Sequence, residues 1–491
     1  MWKIRQFCSS HFKNVLILFI LSAFFVSPAP AQKSLHLSLD VAQFQDSRQQ
    51  SYLEIYYSLP EQSIKYVPNA AGEYSSQMVM DLEIYKRESL WASKMWKIEK
   101  AIQDTKKVGR NRQLIDMFRY YLDEPSTYRV VIHARDMNQE DAIDSIDTKI
   151  ETREFNANKL EISDVHLASD IKRTGNPSSK FAMRNYEIIP NPTLVFGEGV
   201  PNLYYCFEAY NLLNNVAGPK YKRFAFLRDS DSKVVEGVGS RYRTRGKLHD
   251  SSIEMGLINV SKLRTGQYFF DYGISDATGV ELASKEKKLY VYNPSVPITP
   301  VAGAARGVAA PAGSLGELGT LGSEQLDKEY ESMKYLTTKE DREFYGNLSN
   351  VEAKRQFIYS AWQSIKNYEG LKGADYRRLY LSRVEEANER YRETGREGWK
   401  TERGRVFILY GQPTNIELFP SSPEHKPYQI WTYDYLQGQG GITFIFADRF
   451  GFKRYELIHS TLRGELQDPN WQRFIVIGPF QQNIQRPNIQ N

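Results

Sequence analysis

Thr265-Gly266-Gln267-Tyr268-Phe269-Phe270-Asp271-Tyr272-Gly273-Ile274-Ser275-Asp276 reads as a turn, a tyrosine, and a strand that ends on an aspartate. Tyr128 to Asp136 (YRVVIHARD) repeats the order, with Tyr again eight positions ahead of Asp. A tyrosine placed there is expected to bury its ring and bond the backbone through its hydroxyl, closing a corner of a β-sandwich. The two copies lie 140 positions apart. Two related sandwiches account for that spacing; so does generic strand chemistry, because the match is short.

The flanking sequence supports sandwiches on both sides. Leu35, Leu37, Leu39 and Val41 alternate, as do Leu53, Ile55 and Tyr57, then Met78, Met80, Leu82 and Ile84. Leu114 to Leu122 alternates imperfectly. Period-two alternation puts one strand face on a core and the other in water. Residues 32–155 are therefore expected to form one Ig-like β-sandwich. Residues 156–292 are expected to form a second, with strands at Thr193–Phe196, Leu203–Tyr210, Lys222–Leu227 and Leu289–Tyr292. Residues 293–323 are rich in Pro, Gly and Ala and read as a flexible linker. Residues 324–475 read as an α+β domain. Ile358, Ala361, Trp362 and Ile365 keep helical spacing, as do Tyr376, Leu379, Val384, Ala387 and Tyr391. Arg405–Tyr410, Gln429–Tyr433, Ile442–Phe446 and Lys453–Ile458 read as strands of a small antiparallel sheet. Residues 476–491 form a polar tail.

The 491 residues are 41% hydrophobic and 25% charged, a globular composition. Residues 1–31 begin with Lys3, Arg5 and Lys13, run through an apolar stretch from Val15 to Val26, and end Ala29-Pro30-Ala31. That is the pattern of a secretory signal peptide, with cleavage expected between Ala31 and Gln32. The stretch is shorter than the roughly 17–25 residues of a spanning helix, so no transmembrane span is expected after cleavage. Removing three bases and no acid takes the net charge from +5 to +2. A near-neutral chain gives no argument for nucleic acid as a partner. Cys8 leaves with the signal, so Cys206 is the one remaining thiol and no internal disulfide forms. Cys206 sits in a strand-like run and reads as a buried, inert side chain.

One further string stands out. Gly398-Trp399-Lys400-Thr401-Glu402-Arg403-Gly404-Arg405-Val406-Phe407-Ile408-Leu409-Tyr410-Gly411-Gln412-Pro413 resembles the signature of the GWxTD-domain family of exported bacterial envelope proteins. The resemblance extends upstream through Arg383–Asn388 and downstream through Ile430–Tyr433 and Leu457–Thr461, roughly residues 325–470. It implies an envelope location and supplies no reaction. Where the family signature has Asp, this chain has Glu402. A longer carboxylate suits a turn or an ion pair better than a closely positioned catalytic group.

The motif reads in two ways. In one, Gly395 and Gly398 turn the chain off the helix, Trp399 plugs a helix–sheet junction, and Arg405 pairs with a carboxylate. In the other, Trp399, Glu402, Arg403 and Arg405 form a surface that grips a carboxylate, sugar or peptide, with Thr401, Gly404, Tyr410, Gly411 and Pro413 shaping it. His36, His133, His166, His249, His425 and His459 are scattered, so no metal-ligand motif is read. Neither a nucleophile elbow nor a phosphate-binding loop occurs in the sequence. The sequence names no catalytic residue and no cofactor. The expectation is an exported periplasmic or outer-membrane protein that binds or scaffolds, with an envelope protein or glycan as partner. The alternative is an envelope hydrolase or transferase with a site near the motif. Nothing in the sequence sets the oligomeric state.

Overall fold

A computed structural model describes residues 34–296 and 316–477, apart from residues 71, 110–111, 175, 177, 184, 239–241 and 368. The expected signal segment and its Ala31–Gln32 cleavage point lie outside the described residues, as do most of the linker and the tail from residue 478.

The first unit is built from β1 (Ser38–Gln45), β2 (Ser51–Pro60), β3 (Val67–Pro68), β4 (Tyr74–Lys86), β5 (Ser89–Ile102), β6 (Gln113–Tyr121), β7 (Thr127–Asp136) and β8 (Ile143–Glu151). One sheet runs β1-β2-β6; in the other, β4 pairs with β5, β3 and β7, and β7 pairs with β8. Met78, Met80, Leu82 and Ile84 of β4 are fully buried, as their alternation predicts. They meet Leu53, Ile55 and Tyr57 of β2 and Val130 and Ile132 of β7 in one core.

The second unit contains β9 (Glu161–Ile162), β10 (His166–Arg173), β11 (Ala182–Met183), β12 (Tyr186–Pro190), β13 (Val195–Gly197), β14 (Asn202–Tyr210), the short helix α1 (Leu212–Asn215), β15 (Lys220–Arg228), β16 (Tyr242–Gly246), β17 (Ser252–Asn259), β18 (Gly266–Ser275) and β19 (Glu281–Tyr292). Its sheets run β11-β12-β10-β14-β17 and β13-β19-β18-β15-β16, so β17 and β16 end their respective sheets. Leu203, Tyr205 and Phe207 pack against Tyr221, Phe270, Tyr272 and Leu289 in its core. Cys206 is fully buried among Ala168 and Ile188, and burial pushes its thiol pKa well up.

Both tyrosine corners form. Tyr128 Oη donates to the Glu124 carbonyl at 3.1 Å, and Tyr268 Oη donates to the Arg264 carbonyl at 3.1 Å. Asp136 and Asp276 both cap the turns that follow: Asp136 accepts from Asn138 N, and Asp276 accepts from Thr278, Gly279 and Val280 N.

The third unit opens with α2 (Ser323–Ser332), α3 (Lys339–Gly346), α4 (Val351–Ser364), α5 (Gly373–Arg390) and α6 (Glu402–Tyr410). The antiparallel sheet β20 (Asn415–Phe419), β21 (Tyr428–Leu436), β22 (Gln439–Ala447) and β23 (Glu456–Ser460) follows in sequential order. The fold is thus mainly β: two tandem sandwiches and a C-terminal α+β unit. A charged group braces the helices. Glu329 accepts from Arg377 Nε and Nη2 at 2.7 Å each and from Trp362 Nε1 at 2.9 Å. Such a pair is held by the hydrogen bonds that offset its desolvation.

One element differs from expectation. Arg405–Tyr410 is the body of helix α6, not a strand. Thr401 caps it, its Oγ1 accepting from Gly404 N at 3.0 Å. Val406, Phe407 and Ile408 are all buried, because the helix lies between α5 and the sheet. A short helix buried on successive positions loses its amphipathic period and reads like a buried strand.

The helical unit is seated on the second sandwich. Thr265 N donates to Gln356 Oε1 at 2.9 Å, and Gln267 N donates to Ser360 Oγ at 3.1 Å, so the tyrosine-corner turn lies against α4. Asp341 Oδ1 of α3 accepts from Gln267 Nε2 and Tyr290 Oη and pairs with Lys288. Tyr290 belongs to the same apolar cluster as Phe344 and Phe357. On either side of the expected linker, therefore, the chain packs together.

Candidate functional site

The motif wraps the junction between α5 and α6. Gly398 and Gly404 let backbones meet. A Cβ on Gly398 would stand 1.8 Å from the Ala387 carbonyl oxygen, and one on Gly404 would stand 1.9 Å from that of Gly398. Gly411 takes φ +79° at the end of α6, and its carbonyl accepts from Tyr433 Oη at 2.9 Å. Pro413 is buried just beyond. Trp399 is 5% exposed. Its backbone N–H donates to Asn388 Oδ1 at 3.2 Å, and its carbonyl accepts from Tyr335 Oη at 2.7 Å. Thr401 Oγ1 donates to the Gly398 carbonyl at 2.8 Å, which ties the turn to the helix start.

The charged members are engaged within the chain. Arg405 donates to both oxygens of Glu465, at 2.8 and 2.7 Å, and to Glu402 at 3.1 Å. Tyr410 Oη donates to Glu465 at 2.7 Å. Burial would raise the Glu465 carboxyl, but Arg405 and Tyr410 outweigh it and hold it below the usual carboxylate range. Arg403 pairs with Glu393 at 3.1 Å and lies 4.2 Å from the Tyr455 ring centroid. Glu402 has a side chain 37% exposed and contacts Arg405 on its own helix.

The structure thus brings the motif residues together as a joint. The groups sequence reading missed are Glu465, Glu393 and Tyr335, which supply its counter-charges and clamp. They lie 60, 10 and 64 positions from their partners, so no local spacing announces them.

Beside the joint lies a depression of about 630 Å³, lined by Asp327, Tyr330, Lys334, Tyr335, Arg342 and Tyr345 among others. Tyr330 and Tyr345 stack at 3.8 Å between centroids. Lys334 Nζ sits 4.6 Å from the Trp399 ring centroid and 4.7 Å from that of Tyr335. Burial, with the nearby Arg396 and Lys400, holds the Lys334 amine below its ordinary value. Aromatic faces with cations beside them suit a sugar or an anionic peptide group. Glu402 does not line this depression. Among the described residues, no cluster of three or more His, Cys, Asp or Glu is placed to hold a metal, and no helix is long and apolar enough to cross a membrane.

A constellation elsewhere resembles a catalytic triad in composition. Tyr56 Oη contacts Glu54 and lies 2.8 Å from His166 Nδ1, whose ring is 3.3 Å from Glu54 through Nε2. All three side chains are buried between the first two units. They do not line the depression.

A mainly β chain closed by helices and a small sheet, with a Gly-Trp junction at their meeting, is the class of molecule this geometry defines. Residues 323–475 match the GWxTD domain family, so the C-terminal unit is a GWxTD domain. No curated protein matches the chain. Among solved structures, red sea bream transglutaminase aligns over 52% of this chain and 31% of its own at 9% identity, with a TM-score of 0.16. Bifidobacterium dentium beta-glucuronidase, complexed with coumarin-3-O-glucuronide, aligns over 49% of this chain and 39% of its own at 10% identity, TM-score 0.14. The chain therefore spans well under half the length of either, and likenesses this slight carry no argument about fold or activity.

Proposed function

We propose that this is an exported envelope protein, in the periplasm or at the outer membrane, that binds or scaffolds an envelope protein or glycan rather than turning over a substrate. One observation carries the reading. Every charged motif residue that a reaction would need is paired inside the chain: Glu402 with Arg405, Arg405 with Glu465, and Arg403 with Glu393. Trp399 is buried as a plug. Its neighbours Lys334 and Tyr335, together with Arg342, line the depression, which offers aromatic and cationic contacts to a partner. The signal-like N-terminus and the family's envelope location support the compartment.

The test is cosedimentation of the purified chain, from Gln32 onward, with isolated sacculi and with outer-membrane vesicles. Saturable binding is expected, and Lys334→Glu with Arg342→Glu should abolish it while the thermal midpoint holds. Absence of binding to either, or turnover of an envelope substrate lost in Glu402→Gln, would overturn the reading. Sequencing the N-terminus of the envelope-fraction protein tests export separately.

A further inference from the structure

The second sandwich is open along one edge. Between β16 and β17, which end its two sheets, lies a cavity of about 280 Å³. Tyr186, Tyr204 and Tyr205 line it together with Arg223 and Arg243. Arg223 and Arg243 are cross-strand neighbours on β15 and β16, and Tyr205 faces Gly256 across β14 and β17.

Arg223 is unusual. Its side chain is 2% exposed, yet its buried Nε and Nη1 donate to no acceptor. The carboxylate beside it, Glu254, stands 3.9 Å from Nε, beyond hydrogen-bond reach. Glu254 is already engaged: it accepts from Tyr221 Oη, from Ser252 Oγ at 2.8 Å and from Arg245 Nε at 3.0 Å. Glu254 thus pairs closely with Arg245 and only at longer range with Arg223, while the like charges of Arg243 and Arg245 act against Arg223. Burial pushes the Arg223 pKa down to about 10, Glu254 opposes that shift, and the group stays cationic at neutral pH. Buried donors and buried charges are normally partnered. Here the partnerless donors belong to a side chain that lines a cavity.

The cavity depends on Gly256. A Cβ there would stand 2.5 Å from Tyr205 Oη and 2.9 Å from Arg223 Nη2. The volume sits near the roughly 300 Å³ lower end of small-molecule pockets, the size of a single ring.

We propose that this edge cavity binds a small organic carboxylate, with its anionic end on Arg223 and Arg243 and its ring against the tyrosines. A guanidinium offers a planar donor fork that matches a carboxylate, and tyrosine faces take the body of an aromatic or sugar acid. The site is separate from the depression beside Trp399, so it stands or falls independently of the proposed function.

The experiment is calorimetric titration of the purified chain, from Gln32 onward, with benzoate and with glucuronate, using benzamide and inorganic phosphate as controls. Saturable one-to-one binding of either carboxylate is expected; which one binds tells an aromatic acid from a sugar acid. The neutral amide should bind at least about tenfold more weakly, the scale of one lost charged contact. Arg243 is exposed, so Arg243→Gln should keep the thermal midpoint and weaken binding about tenfold. Gly256→Ala should abolish binding. The proposal is overturned if neither carboxylate binds at millimolar concentration, if benzamide or phosphate binds as tightly, or if a folded Arg243→Gln protein binds unchanged.

Discussion

Arg405 and Glu465 form a two-pronged ion pair, 2.8 and 2.7 Å, that ties the first turn of α6 to the loop after β23. Both side chains are largely buried, at 20% and 10% exposure. Removing one partner leaves the other charge desolvated and unpaired, which costs about 3 kcal/mol in such settings. Glu465→Ala should therefore lower the denaturant midpoint of the chain markedly. Glu402 binds the same arginine from a half-open position, and Glu402→Gln should cost under about 1 kcal/mol. Urea melts of the two variants check this. Equal losses would mean that the half-open Glu402 bears as much of the joint as the buried Glu465.

Gly398 and Gly404 let α5, the motif turn and α6 approach at backbone distance. Alanine at either site forces backbone carbonyls apart, because contacts of 1.8 and 1.9 Å have no flexible side chain to yield. Gly398→Ala and Gly404→Ala are each expected to destabilise the chain by about 3 kcal/mol, the upper range for overpacked positions. Thr401→Ala, which removes only the cap, should cost about 1 kcal/mol. Thermal melts that rank Thr401→Ala as the worst of the three would contradict this picture.

The paired corners give a second comparison. Tyr128 and Tyr268 each donate to a carbonyl four residues upstream, so removing either hydroxyl should cost about 1 kcal/mol. Tyr268 stands beside the Thr265–Gln267 turn that α4 contacts, whereas Tyr128 stands far from the helical unit in the chain. Amide exchange in α4 should rise in Tyr268→Phe and stay unchanged in Tyr128→Phe.

Those corners were legible because the chemistry is local: a turn, a ring and a capping aspartate lie within a dozen residues. The alternation of β4 was legible for the same reason, since one face meets a core and the other meets water. Helix α6 was not, because Val406, Phe407 and Ile408 are buried on consecutive positions and the 3.6-residue period vanishes. The ring and glycine roles in the motif could be read from residue type alone. Glu465 and Glu393 could not, because the order of folding in space, not spacing along the chain, brings them to the arginines. The edge cavity was equally hidden, since Arg223 in β15 looks like any outward strand residue until its burial is known.

The seat between sandwich and helices rests on Asp341. This buried carboxylate caps α3 through Thr338 and also receives Gln267, Lys288 and Tyr290. Asp341→Ala would orphan the Tyr290 hydroxyl and the Gln267 amide together, a loss of about 3 kcal/mol or more. Limited proteolysis should then cut between residues 293 and 323 faster than in the parent chain, because the two sides of that segment no longer hold each other. Unchanged cleavage would show that the apolar contacts of Tyr290 with Phe344 suffice.

His166 gives the chain a dependence on pH. Burial holds its pKa below the ordinary imidazole value; Glu54 and Asp40 pull it upward, while Lys287 and Arg119 push it down with the burial. Its ring stacks on Phe44 at 4.6 Å and meets the Tyr56 hydroxyl, so the neutral form is the one the fold accepts. As pH falls through about 6.5, the unfolded chain takes up a proton at this position that the folded chain does not. The His166 contribution is therefore intact above that pH and declines below it, by at most about 1.4 kcal/mol per unit, until the folded-state value is reached. Urea midpoints measured between pH 7 and pH 5 should fall more steeply for the parent chain than for His166→Gln. The difference in slope isolates this one group, because the carboxylates and the other histidines titrate in both proteins. Parallel slopes would mean that His166 titrates alike in the folded and unfolded chain, and a shallower fall in the parent than in His166→Gln would mean that the ring is already protonated beside Glu54 in the folded state.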